Sequence, residues 1–190
     1  GPIARFSNRW RPALAAMRRQ ALPQARDPAE AMVQLRPLGP SAQEIEFLQS
    51  HFVRYTKSQK KAFARLQQLV PACADDIAQL EALLGPMPAD YTAFLCTHNG
   101  GWPEPSLIRA ANGWRYVVNE LLALSFALRI YASVNNHLEV YRHRIPAQSV
   151  PVGRSPSGDL YLLDLRPATW GAVCLWQHER EAEGDGSQHW

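Results

Sequence analysis

The chain has 190 residues, 46% of them hydrophobic, enough for the core of one globular domain with an extension, which excludes a disordered or fibrous protein. No apolar run approaches the roughly 18 residues of a membrane span, and Arg5, Arg9 and Arg11 precede no apolar stretch of the secretory-signal kind, so the cytoplasm is the expected location. The net charge of +3 divides unevenly: of 20 Lys/Arg and 17 Asp/Glu, residues 1–71 hold 12 and 4, leaving 8 and 13 for residues 72–190, which reads as a basic arm or helix on a mildly acidic domain.

Residues 1–43 carry Pro2, Pro12, Pro23, Pro28, Pro37 and Pro40, a density that leaves room for at most short helices, one of them over 12–20. They are expected to be an arm packed on the domain or a linker, and the Gly1-Pro2 start is compatible with cleavage from a longer chain. From Ser41 the apolar positions Ile45, Leu48, Phe52, Tyr55, Phe63, Leu66 and Leu69 recur at helical spacing behind a Ser41/Glu44 capping box, predicting one long amphipathic helix. Its other face carries Arg54, Lys57, Lys60, Lys61 and Arg65, and Pro71 marks its end. A short helix follows, N-capped by Asp75 or Asp76, with Ile77, Leu80, Leu83 and Leu84 as its stripe and Gly85 at its C′ position. Pro88 at N1 opens a third helix with Tyr91, Phe94, Leu95 and His98 on one face, closed by Asn99-Gly100-Gly101.

Beyond Gly101 the signals turn strand-like. Residues 114–124, 150–152, 160–163 and 172–176 read as strands separated by turn-forming residues, with a helix over 133–142 and an acidic, frayed tail over 180–190. Helices first and antiparallel strands after predict an α+β domain, its N-terminal helices packed on one face of a mainly antiparallel sheet.

Leu83-Leu84-Gly85-Pro86-Met87-Pro88-Ala89-Asp90-Tyr91-Thr92-Ala93-Phe94-Leu95 followed by Asn99-Gly100-Gly101 resembles the signature of the SUKH superfamily, the Smi/Knr-like proteins. A second block is similar to that family's closing strands: Arg144-Ile145-Pro146, Val150-Pro151-Val152-Gly153, Ser157-Gly158-Asp159-Leu160-Tyr161-Leu162-Leu163-Asp164, and Gly171-Ala172-Val173-Cys174-Leu175-Trp176-Gln177-His178-Glu179. The resemblance spans residues 72–179 and sets the expected domain at 44–179. It implies an α+β fold, no cofactor, and in bacteria an immunity protein that neutralises a polymorphic or contact-delivered toxin by protein contact; fungal relatives are linked to cell-wall signalling. The richness in Ala, Leu, Pro and Arg favours the bacterial branch. The alternative is a non-catalytic regulatory or scaffold module, cut from a larger chain.

Read by their own chemistry, Gly85, Gly100, Gly101, Gly158 and Gly171 suit turns or close approach, Pro88 presets a helix start, Tyr91, Phe94 and Leu95 feed the core, and Asn99 belongs to a structural turn. No catalytic, cofactor or metal set emerges. Cys96 and His98 stand two residues apart and face different sides of a helix; His137, Glu139 and His143 do not share a helical face; His178-Glu179 and His189 form no metal motif. Cys73, Cys96 and Cys174 have no paired spacing, and Cys96 and Cys174 sit among apolar residues as buried thiols do. The basic arm with Trp10 has the chemistry to hold nucleic acid, yet the rest of the chain is acidic and carries no nucleic-acid motif; steering toward an acidic patch on a toxin is the other use of such a surface. For partner contact the expected anchors are Trp102 and Trp114 in turn-rich surroundings, with Glu104, Asp159 and Asp164 as polar contacts.

Overall fold

In the computed structural model, residues 33–51, 54–109 and 115–179 are described. The expected helix over 12–20, Trp10, Trp114, His189 and the tail from 180 lie outside the described residues. In chain order the elements are β1 (Gln34–Arg36), α1 (Ala42–Ser50), α2 (Lys57–Leu66), α3 (Ala74–Leu84), α4 (Ala89–Thr97), β2 (Trp102–Glu104), β3 (Leu107–Arg109), β4 (Arg115–Val117), β5 (Glu120–Leu121), α5 (Val134–Val140), β6 (Ser149–Arg154), β7 (Leu160–Asp164) and β8 (Val173–Trp176). Strands β5, β6, β7 and β8 form one antiparallel sheet in that order, while β1–β2 and β3–β4 are antiparallel pairs. Reciprocal backbone bonds between Gly101 and Leu121, 3.2 and 2.8 Å, join the β1–β2 pair to β5.

The N-terminal helices cover one face of this sheet, giving the expected α+β fold. Phe63 and Leu66 of α2, Leu80 of α3 and Tyr91 and Leu95 of α4 share a buried cluster with Val150, Val152, Tyr161 and Leu163. Period-two alternation turns Leu160, Leu162, Cys174 and Trp176 to the other face, under Tyr141 and Ile145 from the end of α5 and the segment after it.

The expected single helix from Ser41 is two. The Ser41/Glu44 box starts α1 as predicted, but His51 ends it, its ring Nδ1 donating to the Phe47 carbonyl at 2.8 Å. A second capping box then starts α2: Thr56 Oγ1 accepts from the Gln59 amide and Gln59 Oε1 from the Thr56 amide. Two satisfied helix starts, at Ser41 and Thr56, outcompete a single continuous helix.

Helix α3 is capped by Cys73, two or three residues earlier than the expected Asp75 or Asp76; Asp76 reaches back to the Cys73 amide at 3.1 Å. Pro88 is the N-cap of α4 rather than its first helical residue. Cys96 is exposed, contrary to expectation, because it lies one position beyond the inward-facing Leu95. The strand expected over 114–124 divides, β4 pairing with β3 and β5 with β6. Part of the Pro-rich arm is an element of the domain: β1 pairs with β2, and Leu38 enters the core.

The turn after α4 carries a buried polar hub. The Asn99 side chain, 2% exposed, donates to the carbonyls of Val70 (2.6 Å) and Leu124 (2.9 Å) and accepts from the Leu124 amide (2.7 Å). Asn99 and Gly100 both have positive φ, 51° and 87°. A Cβ on Gly100 would lie 2.9 Å from the Ala123 nitrogen, so only glycine fits beside the strand. Asn99→Ala is expected to cost about 3 kcal/mol, since it strands buried backbone groups. Urea denaturation checks this, and a loss under about 1 kcal/mol would contradict the hub.

His137 on α5 is buried, its Nδ1 donating to the Ser133 carbonyl at 2.9 Å and its ring stacked on Tyr141. Burial pushes its pKa down from 6.5 to about 4. The folded protein therefore keeps it neutral where the unfolded chain takes a proton. Its contribution is complete above pH 6.5 and is lost as pH falls toward 4, by up to about 3 kcal/mol. His137→Gln is expected to flatten that limb of the stability–pH curve measured by denaturation; an unchanged slope would refute the assignment.

Candidate functional site

The sequence-predicted contact residues do not meet in one place, and those described are engaged within the fold. Trp102, expected in an exposed loop, is 3% exposed. It opens β2, where β1 pairs alongside and the Arg36 guanidinium stands 5.8 Å from its ring centroid. Arg36 also holds Glu104 at 3.1 Å and Glu44 at 2.6 Å, so Glu104 is an internal clamp on β1 with an exposed flank. Asp159 and Asp164 stand at opposite ends of β7, about 16 Å apart by strand rise. Trp114 lies outside the described residues.

Asp159 closes the β6–β7 turn onto the end of β8. Its carboxylate accepts from Ser157 Oγ (2.6 Å) and from the Nδ1 of His178 (2.9 Å), and Gly158, at φ 101°, lies beneath the imidazole. Two motif segments far apart in sequence thus form one brace.

Asp164, expected as a polar partner contact, is wholly buried and serves a different turn. Its carboxylate accepts from the Arg166 amide (2.9 Å), from Arg166 Nε (3.0 Å) and Nη2 (2.7 Å), and from the Thr169 hydroxyl. The Arg166 hydrogen bond, chiefly, holds its pKa down at about 2. The backbone closes the same loop, with Gly171 N–H donating to the Asp164 carbonyl and Asp164 N–H to the Ala172 carbonyl. Gly171 has φ 79° and sits against Pro88 of the helix elbow.

What this scaffold presents is Trp170, 46% exposed, beside Val173, 55% exposed, on β8. Strand β8 ends the sheet, pairing with β7 on one side. Trp170 directly follows Thr169, whose hydroxyl the buried Asp164 carboxylate holds, so this half-exposed ring sits on a braced turn. The sequence reading passed over Trp170 because Pro167-Ala168-Thr169-Trp170-Gly171 reads as a spacer between strands; the available signal was a Trp placed inside a turn. A second exposed apolar pair, Leu107 and Val117, faces outward on the β3–β4 ribbon.

The residues weighed for catalysis stay apart. Cys96 on α4 and His98 at its C-cap are exposed, and His137 is engaged in the core. Among the described residues no three His, Cys, Asp or Glu side chains gather as a metal site. No helix among them is long and apolar enough to cross a membrane.

An α+β fold with an Asn-Gly-Gly turn between its last N-terminal helix and its sheet, and with Asn99, Asp159 and Asp164 bracing its turns, is the architecture that the described residues form. The model of the SMI1 / KNR4 family (SUKH-1) matches residues 71–188, and the chain belongs to that family. Comparison with curated proteins and with solved structures finds no match.

Asp164→Asn is expected to lower stability by about 2 kcal/mol at neutral pH, through loss of charge-assisted bonds to a buried carboxylate. Because its pKa is depressed, that contribution is present above about pH 3.8 and lost as pH falls toward 2, so wild type and variant converge in acid. Thermal melts at both ends of this range check it. Trp170→Ala is expected to change stability by less than about 1 kcal/mol, since its ring is half exposed.

Proposed function

We propose that this protein is an immunity protein that binds a cognate bacterial toxin in the cytoplasm and blocks it by direct contact, without catalysis and without a cofactor. Membership of the SMI1/KNR4 family carries the reading, because resemblance to the Smi/Knr-like proteins implies this role in bacteria. The exposed Trp170 on a braced turn, with the exposed Val173 at the start of β8, supports a contact mechanism, since Trp is enriched among residues that dominate binding energy. Occlusion of a toxin asks for area and complementarity rather than a nucleophile and base.

Co-expression with the toxin encoded beside it tests the reading: wild-type protein is expected to restore growth, and failure to protect would sink it. Trp170→Ala, folded as judged by its melt, is expected to weaken toxin binding by about tenfold or more. Undiminished affinity would remove Trp170 from the contact surface.

A further inference from the structure

Helix α2 is built against its own stability. Its ten residues contain Lys57, Lys60, Lys61 and Arg65 and no acidic residue. At about 100° per residue, the four cations share an arc of roughly 140° directly opposite the buried Phe63 and Leu66. Lys57 with Lys61, and Lys61 with Arg65, are like-charge pairs at i,i+4, which repel. Lys57 also occupies the first turn, where the helix dipole disfavours a cation. The neighbouring helices α1 and α3 instead place acidic residues in their first turns, Glu44 and Asp75 with Asp76, where the dipole favours them.

The patch extends beyond the helix. Arg65 Nη1 donates to the Arg129 carbonyl at 3.2 Å, bringing the exposed Arg129 alongside, and exposed Arg54 precedes the helix. Among the described residues, none of Arg54, Lys57, Lys60, Lys61, Arg65 and Arg129 has a carboxylate within salt-bridge distance.

We propose that this face of α2, with Arg129, is an electrostatic docking surface for an acidic protein surface. The proposal rests on the reading of the chain as a protein-binding module and assigns the chemistry of the partner. Charge complementarity fixes the occupant: a field of one sign attracts the opposite one and accelerates encounter. Single-stranded nucleic acid fits less well, because it is held by aromatic stacking beside the cations, and a duplex, held through its phosphates, is the rival that the titration separates. Here Phe63 is buried, and the half-buried Tyr55 is turned edge-on to it with centroids 5.2 Å apart. The exposed apolar group following the helix is Val70.

The test is an amide NMR titration of the full chain with a short Glu/Asp-rich peptide and, in parallel, with a DNA duplex. The expected result is peptide-induced shifts concentrated over 57–65 and at Arg129, weakening steeply with salt and lost in Lys57→Glu/Lys61→Glu. That variant is expected to fold, since both side chains are exposed and the first turn gains a favourable charge. With the neighbouring toxin, the same variant should associate about tenfold more slowly while its dissociation rate changes by less than about threefold. Shifts located elsewhere, tighter binding of duplex than peptide, or an unchanged association rate would overturn the proposal. Should wild-type protein bind no toxin, the immunity reading fails, and the peptide and duplex titrations still decide the surface.

Discussion

The Asn99 amide joins three stretches of chain at one point: the end of α4, the loop carrying Val70 before α3, and the buried segment at Leu124. Its hydrogen bonds place the last helix of the layer against the sheet, and Gly100 lets the backbone pass Ala123 at a distance that forbids a Cβ. The next residue, Gly101, then bonds Leu121 and starts the path into β2. Removing a side chain here leaves carbonyls and an amide buried without partners, which is why a turn of three small or polar residues governs how two layers assemble.

The same logic recurs around the sheet's far end, where carboxylates hold turns. Asp159 ties the β6–β7 turn to His178, and Asp164 shapes the loop that follows β7. Both bury charge with charge-assisted partners, the arrangement in which burial is tolerated. Their chemistry looks like a site in the sequence and is architecture in the structure.

That contrast explains what was legible. The Ser41/Glu44 box, Gly85, the Asn99 turn, α5 and three sheet strands follow from local patterns and appear in the fold. The break between α1 and α2 was also written locally, as Thr56 and Gln59, but the unbroken apolar periodicity across it argued for one helix. Burial of Trp102 was not legible, because it depends on β1 arriving from 66 or more residues earlier in the chain and on Arg36 joining Glu44 and Glu104. Exposure of Trp170 was equally hidden, since it depends on the buried Asp164 beneath its turn. Asp159 and Asp164, expected at a partner surface, bond within the fold, while the ring of Trp170 and the lysines of α2 stand exposed.

Binding and catalysis differ most plainly in stoichiometry. Purified toxin domain should be titrated with this protein while residual toxin activity is followed. The account predicts a break at one equivalent, with intact toxin recovered in a stable complex. Inactivation of many toxin molecules by each molecule of this protein, or full toxin activity at excess, would contradict it.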